Sequence, residues 1–379
     1  MGFLLKVVLG TTAGLLIEKF IRKKQMFDFS KQLKKFHDEH VRLSEEQQAE
    51  MRERRNTNQA RLRTGLNAAE DPAPLEFIKQ GSYAMKTMIQ APDNKYDIDD
   101  GVVFDEDDLI GPNGGVYSAL DTRKMVLEAL QDARFKTDPE LKENCVRVHY
   151  NEGYHVDVPA YKKVKTQDVY GKDVTILEHA GASWQESAPQ AVTTWFNQAN
   201  KDLSPAEDPG QFRRVVRLLK MYTKRTNTSN NKSPSGFVIS VLAKECYKPD
   251  AERLDRAVYN TIVAIHERLK YSTVVKHPIL EKNLAEDNDN KVIYLKNQIE
   301  THIDSLAGLF DNDISNQDAA KIWGNLFKHE FFNDITAQKV FITPSTVNTG
   351  ILNDSFFSND EGKLSAQPRE VKKEQVRFG

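Results

Sequence analysis

Apolar positions along this chain recur with two different periods, and the change of period marks its organisation. Between residues 26 and 66, Phe27, Phe29, Leu33, Phe36, Val41 and Leu43 follow a partly helical spacing, with neither Pro nor Gly before Gly65. One or two long amphipathic helices are expected there. Within that stretch residues 50–63 are heavily charged and read as a solvated helix face. The run Asp71-Pro72-Ala73-Pro74 closes it. Strand-like stretches follow at 96–104, 146–150 and 154–159, the last two forming a hairpin turned at Asn151-Glu152-Gly153. A helical period returns at 121–135, where Asp121 or Thr122 is the expected cap, and in the segment after Pro189, with Trp195 and Phe196 on its apolar face. It continues at 212–224, 254–269, 292–310 and 315–332, so the second half reads as helices around a core of their own.

The two ends differ from this body. Val7 to Ile17 carries no charge but is shorter than the roughly 20 residues a spanning helix needs. No signal-peptide cleavage pattern follows it, and Lys6 occupies the position where a myristoylation signal wants Ser or Thr. Three readings of residues 1–25 stand: a helix packed on the body, a membrane-surface anchor with Arg22-Lys23-Lys24 as basic flank, or a short span with Lys6 snorkelling. Residues 342–379 turn to Thr, Ser, Asn and Pro and then to a charged end, the composition of a disordered tail.

With 379 residues and 39% hydrophobic content, the chain can bury the cores of two domains or of one two-lobed domain. A net charge of −2 leaves no global basic surface for duplex nucleic acid. The two cysteines, Cys145 and Cys246, lie far apart, which excludes a disulfide scaffold or a zinc-ligand spacing and fits a reducing cytosol.

The chemistry concentrates in Gln80-Gly81-Ser82-Tyr83 and Asp97-Ile98-Asp99-Asp100-Gly101. Gly81 lets the backbone approach a ligand, and Ser82 with the following N–H groups suits phosphate oxygens. On a strand, Asp97 and Asp99 share one face while Ile98 and Asp100 take the other. Two carboxylates side by side repel unless a cation lies between them, and a hard divalent ion, Mg²⁺ or Mn²⁺, suits oxygen ligands. Asp157, alone on an otherwise apolar strand, offers a third carboxylate, and Arg147 on the neighbouring strand can balance phosphate charge. The acidic run Asp105–Asp108 and the Gly-rich 111–115 read as a solvated connection.

These motifs, with His155-Val156-Asp157-Val158-Pro159, resemble the bacterial cGAS/DncV-like nucleotidyltransferases, the CD-NTases of CBASS anti-phage systems, and most of all their DncV-like branch. The resemblance is strong over residues 75–160 and looser over 180–340. It implies an α+β, two-lobed, polymerase-β-like enzyme with a mixed-sheet catalytic lobe and a helical C-terminal, sensor-like lobe. On that plan, residues 1–25 are the N-terminal segment and 26–200 the catalytic lobe with its N-terminal helices. Residues 201–341 are the helical lobe and 342–379 the tail. The implied substrates are nucleoside triphosphates, ATP and GTP foremost, and the implied product is a cyclic di- or trinucleotide. Asp97, Asp99 and Asp157 would hold Mg²⁺ or Mn²⁺. Gln80, Gly81, Ser82, Tyr83, Arg147, Ser187, Lys220 and Ser235 would bind nucleotide. Ser187 also reads as a helix N-cap, Lys220 as a solvated helix lysine and Ser235 as another N-cap.

Further expectations come with the family: CBASS accessory proteins as partners, a conjugating enzyme acting at Gly379, and a downstream effector reached only through the product. The location is then cytoplasmic, with membrane contact by residues 1–25 left open. Two other functions stay in play. One is a linear oligonucleotide or poly(A)-type polymerase, which shares the Gly-Ser and Asp-x-Asp core. The other is a catalytically silent, membrane-associated interaction protein, against which three converging carboxylates argue.

Overall fold

The computed structural model describes residues 26–90, 97–111, 114–132, 137–150, 153–311 and 313–337, and two short strands, Phe357–Ser358 and Leu364–Ser365. The expectations for residues 1–25, for Gly379 and for nearly all of the tail lie outside the described residues. Among the described residues no helix is long and apolar enough to cross a membrane.

The charged stretch near the start folds as two helices, α1 (Ser30–Phe36), extended by one π-helical turn over His37–Val41, and α2 (Glu45–Ala68). A capping box opens α2: Gln47 N donates to Ser44 Oγ at 3.1 Å, and Ser44 N donates to Gln47 Oε1 at 2.9 Å. The expectation that residues 50–63 form a solvated face holds for one side of the helix, where Arg52, Glu53, Asn56, Thr57, Ala60 and Arg63 are exposed, and fails for the other. Met51 and Leu62 are buried, and so are the polar Arg55, Asn58 and Arg61. Two of these polar groups find hydroxyl partners on the layer beneath. Asn58 donates to the Tyr150 hydroxyl at 2.7 Å, and Arg55 donates to the Tyr83 hydroxyl at 3.3 Å. Polar residues buried against polar partners leave no mark in a hydropathy pattern.

The sheet is organised by one long strand. β1 (Glu76–Gln80) is followed by the one-turn helix α3 (Gly81–Ala84), and then by β2 (Asp97–Asp105). After α4 (Ala119–Ala129) come β3 (Glu140–Leu141), β4 (Val146–His149), β5 (His155–Val158), β6 (Ala160–Gln167), β7 (Asp173–Ala180) and β8 (Trp184–Ser187). The strand order is β3-β4-β5-β2-β6-β7-β8, with β1 also paired to β2. β5 and β6 both run parallel to β2, at its start and its end, and the other pairings are antiparallel. Pro159 separates them; it has no N–H to donate, but its carbonyl accepts from Val102 N at 2.9 Å. α4 starts two residues before the expected boundary: Ser118 is its cap and Asp121 the third helical residue of a capping box. α2 and α4 cover the sheet face that carries Val102, Phe104, Val146, Val148, Val156 and Val158.

The second half is helical: α5 (Pro189–Leu203), α6 (Gln211–Thr226), α7 (Gly236–Cys246), α8 (Leu254–Tyr271), then the strand pair β9 (Val275–Lys276) and β10 (Asn283–Ala285), then α9 (Asn290–Ala307), α10 (Asn316–Phe327) and α11 (Phe331–Ala337). The helix expected over 315–332 is broken by Lys328, whose φ of 46° ends α10 in the left-handed region. α1 joins this helical core and not the sheet: Phe29, Leu33 and Phe36 are fully buried in one cluster with Trp323, Phe327 and Phe332. A buried carboxylate fastens the entry. Asp255 accepts from Phe29 N at 2.7 Å and from Ser30 Oγ at 2.5 Å, and Arg253 completes the pair at 2.7 Å.

Candidate active site

The uncovered face of β2 and the turn after β1 meet at a cavity of about 730 Å³. Gln80, Gly81 and Ser82 line it, together with Asp97, Asp99, Tyr161, Ser187, Lys220 and Ser235. Of the nucleotide-binding residues expected from the sequence, two do not line this cavity. Tyr83 turns to the opposite side, where it bonds to Arg55 and lines a smaller cleft with Lys79 and Lys86. Arg147 is engaged elsewhere, as described below. Ser187 lines the cavity but does not cap the following helix; Ala188 holds the cap position, without a side-chain bond, ahead of Pro189.

Strand register brings the acidic residues together. β2 and β5 pair Asp97 with His155 and Asp99 with Asp157, so all four side chains emerge on one face. Asp100 emerges on the other, where Gln59 donates to its two oxygens at 2.8 and 3.1 Å. Ligand atoms of Asp97, His155 and Asp157 lie within 4.8 Å of one another. His155 opens the His155–Pro159 motif but was not among the expected site residues, although the alternation that pairs Asp97 with Asp99 also puts it on the face of Asp157. The His155 Nε2 lies 3.4 Å from Asp97 Oδ1.

The electrostatics divide the carboxylates. Burial and the neighbouring Asp97 and Asp157 push Asp99 up to about 7. For Asp97 burial also acts upward, but the contact with His155 and the charges of Arg147 and Lys224 hold it below its ordinary value. Asp157 is gripped by Arg147 in a bidentate pair, Nε to Oδ1 and Nη2 to Oδ2, both at 2.7 Å. These residues fit a hard divalent cation. Carboxylate oxygens and one imidazole converge within reach of a single ion, and Asp99 carries the strain of charge crowding that such an ion relieves.

The opposite charge comes from α6 and the turns beside it. Lys220 Nζ donates to Thr87 Oγ1 at 2.7 Å, and burial followed by the field of Arg217 pushes its pKa down to about 7. Gly236, the first residue of α7, packs so closely that a Cβ there would lie 3.0 Å from Lys220 Cε. Ser235 caps α7, accepting from Val238 N at 3.3 Å. Gly81 has φ +60°, and a Cβ there would fall 1.9 Å from Asp99 Oδ2, so only glycine brings the β1 turn against that carboxylate. The Tyr161 hydroxyl donates to Gln80 Oε1 at 2.9 Å and holds the side chain that opens the turn. Tyr161, Thr87 and Lys224 gave no signal in the sequence beyond strand, loop and helix.

Comparison with known proteins adds four observations. Residues 75–161 match the family model of the DncV-like nucleotidyltransferase domain of cyclic GMP-AMP synthases. The fold is similar to Vibrio cholerae DncV cyclic AMP-GMP synthase bound to the linear intermediate pppA(3′,5′)pG, at 17% identity and a TM-score of 0.62, covering 80% of this chain and 96% of that one. A Vibrio cholerae DncV mutant bound to ATP and GTP matches at 16% identity and 0.64, covering 81% and 97%. The Escherichia coli DncV form bound to 3′-deoxy GTP matches at 17% and 0.59, covering 78% and 94%.

Proposed function

We propose that the chain, whose residues 75–161 match a DncV-like nucleotidyltransferase domain, is a nucleotidyltransferase that joins nucleoside triphosphates into a cyclic di- or trinucleotide, releasing pyrophosphate at each step. The observation that carries this is the convergence of Asp97, Asp99 and Asp157 on one sheet face, opposite the phosphate-type groups Gly81, Ser82, Lys220 and Ser235. Asp97 and Asp157, whose ligand atoms converge with that of His155, are the residues proposed to hold Mg²⁺ or Mn²⁺, with Asp99 added from its place beside them on the same sheet face. A divalent cation bound there supplies charge neutralisation for the leaving pyrophosphate and acidifies the attacking ribose hydroxyl. The protein's own groups do the positioning. Lys220 and the Gly81-Ser82 turn hold the donor triphosphate, and Asp157, level with Asp99 on the adjacent strand, is the carboxylate assigned to the attacking hydroxyl. Catalysis then rests on orientation and charge stabilisation. A linear dinucleotide must re-enter the same cavity for its second hydroxyl to close the ring.

ATP and GTP are the substrates proposed first, by analogy with the Vibrio cholerae DncV mutant above, which is bound to both. A place in anti-phage signalling belongs to the same reading and is tested by phage challenge of cells that carry the intact chain or its Asp97→Asn variant. The chemistry itself is tested by following pyrophosphate release from the four NTPs with Mg²⁺ or Mn²⁺. Release by the intact chain and none by Asp97→Asn supports the reading; equal rates in the two count against it.

A further inference from the structure

One wall of the cavity carries a histidine whose proton position is set by the backbone. His277 Nδ1 accepts from Ile279 N at 3.1 Å and from Leu280 N at 3.0 Å. A ring nitrogen that accepts carries no hydrogen, so the neutral imidazole keeps its proton on Nε2. Burial, with Lys282 nearby, holds the His277 pKa below its ordinary value, which keeps the ring neutral near pH 7. The ring meets Phe237 edge-on, with centroids 5.4 Å apart and planes at 78°, and both residues line the cavity beside Pro189 and Val192.

This wall is fixed to the catalytic lobe. His277 N donates to Lys282 O at 2.8 Å within the turn between β9 and β10, and Lys282 Nζ donates to Glu186 O at 3.1 Å. Glu186 directly precedes Ser187 on β8. This wall brings together the Phe237 ring, Pro189, Val192 and a His277 imidazole whose proton is on Nε2. That is the composition of a base pocket, where apolar walls hold the ring and a few polar groups orient it.

Resting on the nucleotidyltransferase reading, we propose that His277 reads the nucleobase: its Nε2–H donates to a ring-nitrogen or carbonyl acceptor on the edge of a base held against Phe237. The side chain thus has two separable duties, capping the 278–280 turn through Nδ1 and selecting substrate through Nε2. A residue with the cap alone would leave the phosphate site intact and lose base discrimination.

The test measures binding by titration with non-hydrolysable analogues of the four NTPs and with inorganic tripolyphosphate as the base-free probe. The chains compared are the intact protein, His277→Phe and His277→Asn. His277→Phe is expected to weaken at least one nucleotide about tenfold while tripolyphosphate binding stays the same. His277→Asn keeps a capping acceptor and a shorter N–H, and should recover part of that loss. If the Phe variant melts early, His277→Asp keeps the cap without the N–H, and the ratio of nucleotide to tripolyphosphate affinity carries the comparison. Unchanged affinity for all four nucleotides, or an equal loss of tripolyphosphate, overturns the proposal. An intact chain that binds tripolyphosphate no worse than any nucleotide overturns it too, yet leaves the phosphate site standing. Failure to bind either probe sinks the nucleotidyltransferase reading and this inference with it.

Discussion

Asp99 and Asp157 occupy paired positions on adjacent parallel strands, so a single register delivers both carboxylates to the same level of one sheet face. Asp97 and His155 form the next rung, while Asp100 points to the opposite face and is held by Gln59. If the acidic face is the reacting one, Asp97→Asn and Asp99→Asn should each lower pyrophosphate release by about 10²-fold or more. Asp100→Asn, which can keep its bond to Gln59, should retain most of the activity. Turnover measured beside a melting curve checks this. A folded Asp100→Asn protein that is inactive, next to an active Asp97→Asn protein, would reverse the assignment of faces.

Much of this arrangement was legible because period-two alternation needs no knowledge of partners. Asp97, Asp99 and the hairpin bearing Asp157 follow from it, and so does the separation of Asp100. Other features depend on what lies across the gap. Arg147 looked free to meet phosphate because a sequence does not show that Asp157 faces it in register on β4 and β5. Tyr83 follows Ser82 directly, but the single turn of α3 sends the two to different sides. The burial of Arg55 and Asn58 on α2 was hidden because their compensation is a hydrogen bond to a distant residue. His277 stood in a short irregular stretch whose role appears only when its turn is folded against Phe237.

Gly81→Ala places a side chain where the backbone has φ +60° and where Asp99 already sits. The left-handed conformation alone costs about 1–3 kcal/mol, and the clash adds displacement of Asp99. The variant should melt at a lower temperature and lose most of its turnover. A protein with wild-type melting and wild-type rate would show that the turn does not need to touch Asp99.

If Asp157 holds the cation as proposed, Arg147 and that ion compete for the same carboxylate. Arg147→Ala leaves Asp157 without its bidentate partner, so the metal-free variant should melt earlier than the intact chain. Added Mn²⁺ should then raise its melting temperature by more than it raises that of the intact protein. Equal shifts across a Mn²⁺ titration would mean that the pair and the ion do not share Asp157.

If Lys220 holds the triphosphate as proposed, it gives nucleotide binding a pH dependence. Its pKa in the free protein is pushed down to about 7, so the charged form is depleted as pH rises through 7. A bound triphosphate favours the ammonium and raises that pKa. Affinity should therefore fall as pH rises above 7, and binding should take up a proton in that range. Calorimetry in buffers of different ionisation enthalpy measures the uptake. Lys220→Met should bind more weakly and abolish the uptake; an uptake that persists in this variant would assign it to another group.

The most direct test of the central claim is to identify the product. The purified chain is incubated with all four NTPs and Mg²⁺ or Mn²⁺, treated with phosphatase, and the survivors are identified by mass spectrometry beside the Asp97→Ala/Asp99→Ala control. A phosphatase-resistant cyclic oligonucleotide, absent from the control, is the predicted result and names the bases used. A ladder of linear oligomers, or identical spectra from the two proteins, would contradict the synthase account.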